Sequence, residues 1–92
     1  MFSYNYFQLI GTITNFIKQH NDYVGIELTL TQPFKNSDGV FEEYTLNVFF
    51  NNFLMETIYE KSSCGSVISV VGSIANSYGT LVLLGDRITF FG

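Results

Sequence analysis

Cysteine and proline each occur once in this sequence, tryptophan never, and only four residues are basic. Each scarcity excludes something. One cysteine, Cys64, allows no intrachain disulfide and no cysteine metal cluster. His20 stands without a neighbouring Cys or His, so no metal site is expected. The basic set is Lys18, Lys35, Lys61 and Arg87, against eight carboxylates and a net charge of −4. That balance argues against a strong electrostatic grip on phosphates. Charged residues are 13% of the chain, about half the usual ~25%. No apolar run reaches the ~20 residues of a membrane span. The opening MFSYNYFQLIG lacks a signal peptide's basic start and long apolar stretch. A cytoplasmic protein with no membrane association is expected.

What is abundant is apolar. Hydrophobic residues make up 47% of the chain, with ten Phe and six Tyr. A chain of 92 residues fits one domain, residues 1–92, of moderate stability by itself. Sparse charge implies surface covered by partner subunits, and so many aromatics must in part reach the surface. There is no linker, repeat or low-complexity tract.

The patterning is mostly period two. Residues 5–17, NYFQLIGTITNFI, read as a long first strand. Gly11 in its middle marks a bend or bulge, and KQHND makes the first turn. In YVGIELTLT, residues 23–31, Val24, Ile26, Leu28 and Leu30 face one way, and Glu27, Thr29 and Thr31 the other. Residues 32–40 form a hairpin loop on the turn chemistry of Asn36, Ser37, Asp38 and Gly39. The third strand is EYTLNVFF. Leu46, Val48 and Phe50 share the inward face; Thr45, Asn47 and Phe49 share the outward one. The period then changes. NNFLMETIYEKSSCG predicts a short helix with Asn51 or Asn52 as N-cap, Leu54 and Ile58 as its buried stripe, and Gly65 just past its end. SVISVVGSIAN and TLVLLGDRITFFG are the fourth and fifth strands, joined by the short turn SYG. Five strands with a helix between the third and fourth describe an all-β OB-fold, a five-stranded Greek-key barrel.

With that order in place, the residues resemble the bacterial single-stranded DNA-binding protein family. The likeness runs nearly end to end. The stretch N-x-x-x-L-I-G-T-I-T, from Asn5 to Thr14, is similar to the family's opening strand. LTLTQPFKNSDGVFEE resembles its second hairpin, with an aromatic before an N-S-x-G turn, and YTLNVFF its third strand. ETIYEKSSCGSVISVVGSI resembles the helix, the Gly-Ser turn and the start of strand four, and LLGDRITFF the closing strand. The resemblance implies sequence-tolerant binding of single-stranded DNA in replication, recombination or repair. Bases would stack on exposed aromatics, and phosphates would run past basic side chains. No enzyme activity and no cofactor are implied. Subunits of the family pair through the first strand and usually form tetramers.

The resemblance places Phe34 and Tyr78 at or near stacking positions, with Lys35 as the first candidate phosphate contact. Phe34 could instead be a lid on the core, and Tyr78 a solvated turn residue. Asn47 and Phe49 join as outward residues of the third strand, and Phe49 could equally face a subunit interface. Tyr44 is a further candidate. Lys18 and Arg87 read as solvated charges, and Ser66 as a turn residue. The departures are specific. The alignment puts Thr45 and Asn51 at two aromatic stacking positions. Sliding by one residue would offer Tyr44 and Phe50, but it turns Leu46 and Val48 outward and Asn47 inward, against the polarity. The first loop and last hairpin are short, and Asp38, Glu42 and Glu43 crowd the candidate site. The sequence ends at Gly92 without the family's flexible linker and acidic tip; as a natural end this would mean no partner recruitment. Two other readings stay open: an OB-fold protein–protein module with a decayed DNA site, and a tailless primosome-type accessory dimer.

Overall fold

The computed structural model describes residues 4–20 and 23–91, with residues 19 and 20 by backbone alone. Asn21 and Asp22 of the expected first turn, the side chain of His20, and Gly92 lie outside the described residues. The elements are β1 (Phe7–His20), β2 (Tyr23–Lys35), β3 (Phe41–Phe50), α1 (Asn52–Lys61), β4 (Val67–Ser77) and β5 (Thr80–Phe90). The strands close into a barrel in the order β1-β2-β3-β5-β4. Every pairing is antiparallel except β3 with β5, which is parallel and spans two residue pairs, Val48–Leu83 and Phe49–Leu84. This is the expected OB-fold.

Strand alternation selects the core. Ile13, Ile26, Leu28, Val48, Ile68 and Val70 point inward and are wholly buried. Each such burial contributes about 1.5–3 kcal/mol. Asn51 caps α1 as expected, its Oδ1 accepting from the backbone N–H of Leu54 at 2.8 Å. Met55 and Ile58 are the buried residues of α1 and belong to the core cluster, with Leu54 packed beside them. The helix ends at Lys61, earlier than Gly65 implied. Gly65 sits instead in the following turn at φ +99, where its N–H donates to the Ile13 carbonyl at 2.8 Å.

Three expectations need correction. Of the bend or bulge expected at Gly11, the bulge is not there: its pairing with Ile68 is continuous, and the register of β1 with β2 slips later, between Ile13 and Asn15. Gly11 answers to close approach, because a Cβ there would lie 2.8 Å from the Thr29 carbonyl oxygen. The second hairpin loop is shorter than residues 32–40, since β2 runs on to Lys35. Asn36 closes the tip. Its Oδ1 accepts from the N–H groups of Asp38 and Val40, and its Nδ2 donates to Glu42. Those bonds take over the pairing that the turn residues would otherwise lose. The first strand begins at Phe7 rather than Asn5, because Asn5 uses its side chain: its Oδ1 accepts from the N–H of Ile74 at 2.7 Å.

Two arms leave the barrel. The first five residues of β3 are exposed, so the β2–β3 hairpin projects into solvent. The β4–β5 hairpin departs where Gly72 faces Gly85, next to a register slip at Val71. Backbone packs on backbone there. A Cβ on Gly72 would run into the Leu84 carbonyl, and one on Gly85 into the Phe50 ring. Neither carbonyl nor core ring can yield cheaply. Gly72→Ala is therefore expected to destabilise the fold by at least about 1–3 kcal/mol, read as a lower urea midpoint at unchanged slope.

Candidate nucleic-acid interface

The arms carry the aromatics that the core does not use. Phe34 lies on the last turnless stretch of β2 and is 62% exposed. It does not fold back as a lid. Lys35, next to it, pairs with Phe41 across the hairpin, and its Nζ sits 5.5 Å from the centre of the Phe41 ring. Phe41 is itself exposed. Lys35 and Phe41 thus form one aromatic and cationic pair at the tip, with Phe34 exposed next to them in the chain. Tyr44 follows on the same arm, partly exposed, opposite Leu30.

Tyr78 is fully exposed at the tip of the other arm. It and Gly79 are the turn residues, at φ +52 and +83. Two positive φ values in a two-residue hairpin suit Asn-Gly or Gly-Gly. A tyrosine there is an outlier that costs the fold free energy. Asn76 supports the turn, accepting from the Gly79 N–H at 2.9 Å. The strain holds a ring in water, where it adds nothing to packing.

Between β3 and this second arm runs a groove of about 870 Å³, within the size range of small-molecule sites. Tyr23, Asn47, Phe49, Ser77, Tyr78 and Leu83 are among the residues that line it. A second hollow of about 430 Å³ lies beyond the β3–β5 seam, where Asn51, Asn52 and Asp86 meet. Tyr23 and Phe49 border both.

Phe49 corrects the sequence reading. It does lie on the outer face, yet only 6% of it is exposed. Gly25 stands opposite it on β2 and leaves room for the ring, and the Tyr23 ring packs over it at 5.3 Å between centres. Phe49 is thus the floor of the groove rather than a free platform. Asn47 is exposed, Val48 is wholly buried and Phe50 belongs to the core. The rejected slide in register is therefore excluded, and Thr45 and Asn51 remain polar and exposed.

The candidates fall into two groups. Asn47, Phe49 and Tyr78 share the groove; Phe34, Lys35 and Tyr44 lie along the first arm. From Phe41 to Phe49 along β3 is roughly 27 Å at strand rise. Sequence reasoning missed Tyr23 and Phe41. Tyr23 had a signal, since it shares the outward phase of Gly25 and Glu27. Phe41 had none, because its strand was read as starting two residues later. Among the described residues no group of three or more His, Cys, Asp or Glu could hold a metal, and no helix is long and apolar enough to cross a membrane.

No family model matches the sequence, and no curated protein matches it. Solved structures do match the fold. The mitochondrial single-stranded DNA-binding protein Rim1 of S. cerevisiae is 24% identical, with a TM-score of 0.67 over 97% of this chain and 95% of that one. The Plasmodium falciparum SSB in complex with single-stranded DNA is 16% identical, with a TM-score of 0.69 over 100% and 98%. The small single-stranded DNA-binding protein of Streptomyces coelicolor is 14% identical, with a TM-score of 0.68 over 99% and 95%. The chain therefore has their fold along its whole described length.

If Tyr78 is retained against its backbone cost, replacing it should stabilise the protein. Tyr78→Asn is expected to raise stability by about 1 kcal/mol, measured by urea denaturation. Unchanged or reduced stability would mean that the turn is not strained.

Proposed function

We propose that this chain is a non-enzymatic single-stranded DNA-binding protein that acts in replication, recombination or repair. The observation that carries this is the placement of exposed aromatics on the two arms of an OB barrel, one of them held in a costly backbone conformation. The matched solved structures support it, since their names are those of single-stranded DNA-binding proteins. Stacking on an aromatic face contributes about 1–3 kcal/mol per base and tolerates any base. Phe34 and Tyr78 are the stacking platforms of this reading, with Phe41 and Tyr44 beside them. Lys35, poised on the Phe41 ring, is the nearest phosphate contact. Phe49 acts from beneath, by holding Tyr23 in place.

Assembly belongs to the same proposal. Ile10 on the outer face of β1 is 59% exposed, and Tyr4 and Tyr6 before it are 77% and 60% exposed. Burying that surface between subunits would cover it and join several weak sites on one strand. A cytoplasmic site of action fits a lone, exposed, free Cys64.

The test is fluorescence anisotropy of a labelled oligo-dT at low and moderate salt. Wild-type protein is expected to bind saturably. Phe34→Ala should weaken binding by about 1–3 kcal/mol. With four basic residues, the log–log salt slope should be no steeper than about −3 per subunit. No binding at micromolar protein and low salt would sink the reading and turn attention to protein partners. For assembly, Ile10→Lys should lower the mass measured by light scattering; an unchanged mass would remove β1 from the interface.

A further inference from the structure

The face of α1 turned away from the barrel carries a side chain that the fold does not use. Met55 and Ile58 go into the core, with Leu54 packed beside them. Phe53, Glu56 and Glu60 follow one another at steps of three and four, so they form one stripe on the opposite side of the helix. Phe53 is 76% exposed, on the face where an amphipathic helix carries polar residues. Tyr59 borders the stripe, itself exposed, with its ring 5.2 Å from that of Phe16 on β1. None of these helix residues lines the groove or the second hollow.

The charges on this face run against what a helix prefers. Glu56 and Glu60 are like charges four residues apart, which repel. A carboxylate is favoured in the first turn and disfavoured at the end, where the macrodipole is negative. Yet α1 has no acidic residue in its first turn, and Glu60 stands one residue before its last. Neither carboxylate makes a hydrogen bond or ion pair with another described residue. Lys61, the basic residue of the last turn, leans elsewhere, with its Nζ 5.8 Å from the centre of the Phe90 ring. Phe53, Glu56 and Glu60 therefore add nothing to the stability of the chain that carries them. Departures from local preference without a gain in stability are the mark of a site.

We propose that this face of α1 docks a basic, amphipathic segment of a partner protein. An apolar side chain of the partner covers Phe53, with Tyr59 and Phe16 beside it, and its Lys or Arg side chains engage Glu56 and Glu60. Charge complementarity decides the occupant. A nucleic acid is repelled by two unpaired carboxylates. A second copy brings eight carboxylates against four basic residues, and two of its cations, Lys35 and Lys61, rest on its own Phe41 and Phe90 rings. The face lies apart from the arms and the groove, so a partner and a single strand are held together. The inference does not depend on the single-strand binding proposed above.

The experiment is a titration of the isotope-labelled protein, followed by amide chemical shifts, with three synthetic peptides of one length and helical pattern: Lys/Leu, Lys/Ser and Glu/Leu. The Lys/Leu peptide is expected to shift the amides from Phe53 to Glu60 saturably. Lys/Ser, which keeps the charge and lacks the apolar side, should bind at least about fivefold more weakly, as should Lys/Leu to Phe53→Ser. Glu56→Gln with Glu60→Gln should weaken Lys/Leu by about threefold or more, the worth of two exposed ion pairs. Gln matches Glu in helix propensity, so the same double variant should unfold at an equal or higher urea concentration. Both variants should bind oligo-dT as the wild type does. Shifts spread over Asp38, Glu42 and Glu43, equal binding of Lys/Leu and Lys/Ser, affinity that survives the variants, or no shift at all overturns the docking face. So does a urea midpoint lowered by the Gln variant, which would make the carboxylates supports of the fold. A mass lowered by Phe53→Ser in light scattering would assign the face to a second copy and overturn it as well.

Discussion

The candidate interface follows from how little holds the barrel shut. β3 and β5 meet in parallel through only Val48–Leu83 and Phe49–Leu84. Short of that seam the two strands diverge, and the larger groove opens between them. Past it they diverge again, and the second hollow opens toward Asn51 and Asp86. A longer seam would close both. The seam can be this short because α1 supplies Met55 and Ile58 to the core that it encloses. Strand closure and site formation are thus one event, and Phe49 takes part in each: its backbone pairs across the seam and its ring floors the groove.

The barrel was legible in the sequence because period two reports which face a residue takes. Val24, Ile26, Leu28 and Leu30 were read as inward, and each packs in or against the core. A cap at Asn51 or Asn52 was legible by chemistry, and the helix takes Asn51. What alternation does not report is what covers the other face. Phe49 is on the outer face as read, yet it is buried, because Tyr23 folds over it and Gly25 makes space beside it. That cover comes from a strand 20 or more residues away in sequence, and only the register of β2 on β3 creates it. Gly11 shows the same limit from another side. A strand glycine marks either a bulge or a close approach, and only the position of the Thr29 carbonyl decides between them. The loop around Phe34 was read too long because β2 carries on to Lys35, and the Asn36 side chain, with Gly39 at positive φ, closes the tip.

The two groups of candidates differ in physics as well as in place. The first arm brings a cation to its aromatics, with Lys35 over Phe41, but Glu42 and Glu43 stand beside it, exposed. At a Debye length of about 8 Å in physiological salt, those carboxylates act on any phosphate that reaches Lys35. The arm therefore gains little from charge, and its contribution rests on the faces of Phe34 and Phe41. Among the described residues that line the groove none is charged, and Glu27, opposite Asn47, is held toward β1 by the Thr14 hydroxyl.

On the proposed reading, an acidic protein holds a polyanion through uncharged contacts, each weak. Few are available to one subunit on that reading, because the two positions that the resemblance assigns to stacking aromatics carry Thr45 and Asn51. Coupling several subunits on one strand offsets this without any stronger contact, provided that the span between sites matches the strand. The exposed Ile10, Tyr4 and Tyr6 give such coupling an apolar surface to form on. Low charge and high apolar content then belong together. In the proposed assembly, the same composition that deprives each site of electrostatic attraction provides the surface through which the sites combine.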